Sequence, residues 1–217
     1  MRFAFVAAVA ALALAGCGGG GGSKAPQAQG TTTQTQTQPQ AKVGPCAVKG
    51  KHVTFTLLDA KRKYTVTAQT SLGTFAFSLD VKDSPCTTSS FASLVHKHFF
   101  DGLTFHRIVH GFVIQGGDPK GDGTGGPGYS VVDAPPGNAA YTRGVVAMAK
   151  TGLENAGTSG SQFFVVTGAD AGLPPLYALL GKVTSGLDVV LRIGRAPTDV
   201  NDHPLRRVVI RRMTVTP

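Results

Sequence analysis

Phe105-His106-Arg107-Ile108-Val109-His110-Gly111-Phe112-Val113-Ile114-Gln115-Gly116-Gly117-Asp118 gathers one guanidinium, one amide and several large apolar groups, then runs into glycine. Alternation along Phe105, Arg107 and Val109, and again along Phe112 and Ile114, predicts two short strands joined by a turn at His110-Gly111. Each would show alternate side chains to one face of a sheet. Arg107, Phe112, Val113 and Gln115 are thereby expected around one shallow cavity.

Outward from this stretch, residues 64–70 and 74–79 form two β-rich alternating runs around Leu72-Gly73, which reads as a hairpin. Ser84-Pro85 then opens a helix, with Asp83 or Ser84 as its cap and Pro85 preset for the first turn. Phe91, Leu94, Val95 and Phe99 recur at helical spacing, and Gly102 lies beyond the end. Further strands are expected at 145–149, 163–167 and 181–184, a second helix at 187–193 and a last strand at 208–214. Many short strands with two helices argue for an all-β barrel or sandwich with helical caps.

The opening stretch closely resembles the cyclophilin-type peptidyl-prolyl isomerases, whose hallmark reads Phe-His-Arg, two apolar residues, Pro-Gly-Phe, two variable residues, then Gln-Gly-Gly-Asp. The likeness continues in order through Gly123-Thr124-Gly125-Gly126, Gly144-Val145-Val146-Ala147-Met148-Ala149, Gly157-Thr158-Ser159-Gly160-Ser161-Gln162-Phe163-Phe164 and Gly181-Lys182-Val183. It implies a closed eight-stranded antiparallel barrel with a helix at each end. Side chains fill the interior of such a barrel, so the substrate groove has to lie outside it.

The implied activity is rotation about Xaa-Pro bonds, whose barrier is about 18–20 kcal/mol. The reaction needs no nucleophile, metal or cofactor, and none is expected. In the twisted amide the proline nitrogen loses conjugation and becomes basic, so a fixed guanidinium beside an apolar slot favours that state over either planar isomer. The resemblance assigns the guanidinium to Arg107, with Phe112 and Gln115 beside it as catalytic residues. It places Val113, Phe164 and Leu173 with Phe112 in the proline pocket and Gln162 with Gln115 along the substrate backbone. Ala149 falls where the groove floor must be small. Phe163 is expected to turn inward, opposite Phe164, and His106 to be structural.

Some positions depart from the family pattern. His110 replaces a proline, Lys150 stands where many members have a peptide-contacting asparagine, and Tyr177 stands where a histidine often lines the pocket. The chain contains no tryptophan. Weaker cyclosporin binding than in tryptophan-bearing members is expected.

Met1-Arg2, an apolar run over 3–15 and Leu14-Ala15-Gly16-Cys17 read as an export signal of the bacterial lipoprotein kind. The run is shorter than the roughly 20 apolar residues that span a bilayer, which favours cleavage before Cys17. Acylation of Cys17 by two or more chains would give a stable membrane anchor on the extracytoplasmic side. The expected organisation is a signal peptide at 1–16, a lipid-anchored low-complexity linker at 17–53 and an isomerase domain at 54–217. The glycine-rich and Thr/Gln-rich part of the linker has almost nothing to bury and is expected to be a disordered tether.

Cys46 and Cys86, the other two of three cysteines, would sit in an oxidising compartment. A disulfide between them is one expectation and two unpaired thiols the other, since sequence carries no geometry. The net charge of +9 gathers in Lys61-Arg62-Lys63, Arg206-Arg207 and Arg211-Arg212. The last four bracket Val208-Val209-Ile210, as the solvated ends of a half-buried strand would. Export argues against nucleic acid as a partner, and no nucleic-acid module is present.

Two other patterns carry less. Gly121-Asp122-Gly123-Thr124-Gly125-Gly126 resembles a phosphate loop, but Pro127-Gly128-Tyr129 offers no following helix. His96, His98, His106 and His110 are spaced like metal ligands, but the pairs straddle a helix end and a strand-turn junction. The expected partners are proline-containing polypeptides and, through Cys17, a membrane, with the domain acting as a monomer. A tethered proline-peptide binding module or chaperone with little turnover is the alternative, and an adhesin-like use of the basic patches has the least support.

Overall fold

A computed structural model describes residues 42–43 and 46–217. The expected signal peptide, Cys17 and most of the expected linker lie outside these residues. In chain order the elements are β1 (Lys42–Val43), β2 (Cys46–Gly50), β3 (Thr65–Thr70), β4 (Gly73–Leu79), α1 (Pro85–His96), β5 (Phe105–Val109), β6 (Val113–Gly116) and β7 (Tyr129–Val132). They continue with β8 (Val145–Met148), β9 (Thr158–Ser159), β10 (Phe163–Val166), β11 (Leu179–Ser185), α2 (Leu187–Ile193) and β12 (Ile210–Thr216).

Eight antiparallel strands curl into one sheet in the order β12-β3-β4-β11-β8-β10-β6-β5. Its two edges meet at a bridge between Thr104 and Val209, where Phe105 N–H donates to Val208 O (2.9 Å) and Ile210 N–H to Leu103 O (2.8 Å). The barrel is thus closed at one short seam rather than along a full ladder. Farther along β5, Ile108 N–H is already taken by Asp202 O at 2.9 Å, so the loop before β12 occupies the edge that a ladder would need.

Inside the curl, Phe75, Phe77, Phe91, Phe100, Phe105 and Phe163 are all at most 1 % exposed. Their rings meet in stacked and edge-to-face pairs, including Phe91 with Phe100 at 4.6 Å and Phe91 with Phe163 at 5.6 Å. Such contacts contribute about 0.5–1.5 kcal/mol per pair beyond area burial. Helix α1 begins at Pro85, which needs no amide partner there, and buries Phe91, Leu94 and Val95 against this core. Its first turns also bury Thr87, Thr88, Ser89 and Ser90. These hydroxyls are satisfied by Ser159 Oγ, Ser84 O, Pro85 O and Tyr129 OH respectively. Ser84 caps the helix through its backbone and not its side chain. Phe99 lies past the helix end, partly buried against the same core.

Two expectations need correction. Phe105 does not share a face with Arg107 and Val109, because the register shifts between Phe105 and Arg107 as β5 pairs with β6. The extra residue, His106, makes a β-bulge, so Phe105 enters the core while Val109 packs on the outer cluster. Phe112 and Ile114 part likewise, Ile114 inward and Phe112 outward with Val113. Second, the folded body begins before residue 54. β2 pairs with β7 in a smaller sheet ordered β1-β2-β7-β9, and Cys46 is joined to Cys86 on α1 by a disulfide. The segment 46–50 is therefore structure, not linker.

Candidate active site

Lateral pairing lays one row of residues across the outside of the sheet. Arg107 pairs with Gln115, Gln115 with Phe164, Phe164 with Ala147, and Ala147 with Leu179. Strand pleating sends these side chains to one face, and the neighbours Phe163 and Ile114 to the other. A cation, an amide and an aromatic ring thus follow one another at strand spacing of about 4.8 Å.

Beside the row lies an apolar cluster, here called the niche, part of which reaches the surface. Val113, Phe164, Ala147 and Tyr141 are its buried floor, and Phe112, Ala149, Leu173 and Tyr177 pack against them while remaining partly exposed. The Tyr177 ring meets Phe164 edge-on at 5.6 Å and Tyr141 edge-on at 5.8 Å. Tyr141 OH donates to Tyr177 O (2.6 Å) and accepts from Tyr177 N–H (3.0 Å), fixing the loop that carries Leu173 and Tyr177. Burial pushes the Tyr141 phenol above its usual range, so it stays a neutral donor.

Arg107 is half-exposed, and its Nη2 lies 3.3 Å from Asp202 Oδ2. Asp202 holds β5 twice, through this carboxylate and through the carbonyl that receives Ile108 N–H. Its positive φ of 66° is one that Asp tolerates better than most side chains. The guanidinium is thereby held at one end while the rest of its fork remains partly open.

Gln115 Nε2 donates to Gln162 Oε1 at 3.0 Å, and Gln162 Nε2 donates to Gly123 O and Gly125 O at 2.9 Å each. That chain ties the row to the glycine-rich loop. The loop is organised by buried Asp118, whose carboxylate accepts from the N–H groups of Lys120, Asp122 and Gly123. Gly117, at φ +84°, turns the chain into this loop so tightly that a Cβ would strike Ser161 O. A cavity of about 660 Å³ adjoins the niche, lined by Gln115, Ala149, Lys150 and Gln162 on one side and the glycine loop on the other. Lys150 Nζ bonds Thr151 O and Glu154 O at 3.0 Å each and sits 5.7 Å from the Tyr177 ring centroid, which bends its charge back onto its own loop.

All ten residues singled out for chemistry lie on this face, in the row, the niche or the cavity. Sequence reasoning missed Asp202, Tyr141 and Asp118. Asp118 ends the Gln-Gly-Gly-Asp motif and was within reach. Asp202 and Tyr141 carry no local signal, being joined to the site only by distant pairings. The histidines serve separate ends: His98 bonds Asp101, His110 bonds Ala196 O, and His106 is buried in the bulge with both ring nitrogens unpaired. Burial holds the His106 imidazole below its usual pKa. Among the described residues no His, Cys, Asp and Glu side chains cluster as metal ligands.

A partly exposed apolar cluster beside a half-exposed guanidinium on the wall of a curled sheet is an arrangement that suits a rotamase. The family model for the cyclophilin type peptidyl-prolyl cis-trans isomerase matches residues 65–215. The peptidyl-prolyl cis-trans isomerase-like 1 of Neurospora crassa is 38% identical over 149 residues, covering 67% of this chain and 90% of that protein. Peptidyl-prolyl cis-trans isomerase B of Bacillus subtilis is 44% identical over 113 residues, covering 52% and 77%. The crystal structure of a Cryptosporidium parvum cyclophilin type isomerase superposes with a TM-score of 0.65 at 27% identity, covering 72% of this chain and 99% of that one. The same parasite protein has been crystallised in the presence of the dipeptide Ala-Pro. The chain belongs to the cyclophilin-type peptidyl-prolyl cis-trans isomerases.

Proposed function

We propose that this isomerase acts on Xaa-Pro bonds of exported or cell-surface proteins, as a monomer held outside the cell membrane by a lipid on Cys17, and that Arg107 drives the rotation. The proline ring enters the niche between Phe112, Val113, Phe164 and Leu173, with Gln115 and Gln162 bonding the flanking peptide groups. As the amide twists, the proline nitrogen regains its lone pair, and Arg107 donates to it. The planar forms offer no such acceptor, so the interaction lowers the barrier and not merely the energy of binding. Xaa-Pro isomerisation limits the folding of many chains, which makes it a useful service to newly exported ones.

The observation that carries the chemistry is the register that sets Arg107, Gln115 and Phe164 side by side on one face. The use of Ala-Pro with the parasite cyclophilin supports proline-containing ligands. The location is supported by the lipoprotein-like Leu14-Ala15-Gly16-Cys17 and by a buried disulfide of a kind typical of oxidising compartments.

The test is isomerisation of a short Ala-Pro peptide by the folded body, with and without Arg107→Ala. Loss of a preorganised donor costs about 10²–10³ in kcat in enclosed sites, and the exposure of Arg107 reduces that to roughly 10–100-fold here. Equal rates would refute the role of Arg107, and would favour a proline-peptide holder if binding persisted without turnover. Intact mass of membrane-extracted protein tests the anchor, since an unmodified Cys17 would end that part.

A further inference from the structure

The family match begins at residue 65, yet the structure packs an additional segment, 46–58, against α1 and β7. Cys46 is tied to Cys86 in the first turn of α1. Val48 and Cys46 bury against Tyr129 and Val131, with Val53, Phe55 and Leu57 packed around them. The segment is closed at its far end by Leu58 N–H donating to Ser89 Oγ at 2.9 Å, again on α1. It is thus a strap with both ends on one helix.

What the strap holds is one wall of the 660 Å³ cavity. β2 pairs with β7 through Val48 with Val131, Lys49 with Ser130 and Gly50 with Tyr129, and Lys51 N–H then donates to Gly128 O at 2.8 Å. Tyr129, Ser130 and Gly128 all line the 660 Å³ cavity. The approach at Gly50 is close: its φ is +100°, and a Cβ there would lie 2.7 Å from Gly128 O. From Gly128 the wall continues through Gly125 and Gly123, whose carbonyls hold Gln162, which in turn holds Gln115 in the row beside Arg107. Covalent fastening at Cys46 therefore restrains, through backbone and amide bonds, the side of the cavity opposite Gln115 and Gln162.

We propose that the 46–58 strap is a specificity-determining element. It sets the position of the 123–130 wall, and hence the affinity for polypeptides long enough to reach past the proline niche, leaving the rotation chemistry at Arg107 largely independent of it. The ligands it selects are extended unfolded segments rather than isolated Xaa-Pro dipeptides. The inference rests on the isomerase activity but not on the export reading.

Two variants test it, each in a protein that retains Arg107 and the niche. Cys46→Ala/Cys86→Ala unfastens the strap, and Gly50→Ala displaces Gly128 O with the disulfide intact. Isomerisation of a short Ala-Pro tetrapeptide is compared with isomerisation and binding of the same core extended by three residues on each side. The wild type is expected to bind the extended peptides more tightly than the short one. Both variants should lose that advantage by about fivefold or more in KM or Kd, with kcat on the short peptide within twofold of wild type. A wild type indifferent to extension, or folded variants that keep its preference, would overturn the proposal. An equal loss on short and extended peptides would do so too, because it marks general support of the fold. Should the double variant fail to fold, Gly50→Ala decides alone; inactivity of the wild type on all peptides would instead refute the isomerase chemistry.

Discussion

Replacing Cys46 and Cys86 together by alanine should lower the melting temperature of the folded body by about 5–15 °C. The two cysteines are 40 residues apart in sequence, and closing a loop of that size removes unfolded-state entropy equivalent to about 4 kcal/mol at most. For a folded body of this length each kcal/mol moves the midpoint by about 2–4 °C, which sets the upper end of the range. The lower end allows for residual structure in the open chain, because β2 would still pair with β7 and Val48 would still be buried. The cysteines are only 1 % and 6 % exposed, so incubating the native protein with reductant, removed before the scan, should leave the midpoint unchanged, while reduction and alkylation in denaturant should lower it. Calorimetry on the oxidised, denatured-reduced and double-alanine proteins gives the comparison, with alkylation mass before and after reduction as a control. A shift under about 2 °C, or alkylation of Cys46 and Cys86 without reduction, would refute the reasoning.

Asp202→Asn removes the carboxylate that holds Arg107 but retains the backbone bond to Ile108. We expect kcat/KM on an Ala-Pro peptide to fall by roughly three- to tenfold with the midpoint within about 2 °C, since a half-exposed ion pair contributes only about 0–1 kcal/mol to stability. Unaltered kinetics would remove Asp202 from the site. Phe163→Ala and Phe164→Ala should separate core from site: each empties a buried position at a cost of about 3–5 kcal/mol, but only the second should also raise KM, and a rise in KM of equal size in both would contradict the opposed facing. The His106 pKa lies below its usual 6.5 because burial disfavours the charged ring, an effect that Asp118 opposes and the charges of His203 and Arg107 reinforce. The unfolded chain therefore binds this proton first, so the stability His106 contributes is present above pH 6.5 and is lost as pH falls from there through its folded pKa. Denaturant unfolding between pH 7.5 and 5 should show a shallower loss in His106→Gln than in wild type. Parallel curves for the two would sink the assignment.

The strands around Arg107, β3, β4, β10 and both helices were readable because their apolar periodicity or start signals are local. β7 was not, since its four residues lie between glycine-rich and proline-containing loops that mask any alternation. β2 reads as part of the linker for a similar reason. Its Val48 looks isolated until β7 arrives from more than seventy residues away to cover it. The candidate site residues are legible because the motif places them in order. Their facing is not, because one extra residue at His106 inverts the strand's inside-outside pattern, and whether a bulge forms is decided by the partner strand.

The order of residues alone established the cyclophilin family, the order of the candidate cation and apolar groups and the two helices among the described residues, since each is encoded in short-range spacing. Tertiary structure decided that Arg107 faces outward, that Asp202 and Tyr141 hold the site, that the sheet closes at one seam and that residues 46–58 belong to the body. Those outcomes depend on pairings between segments tens to more than a hundred residues apart. Their free energy comes from burial and hydrogen bonds that exist only once the partner is in place.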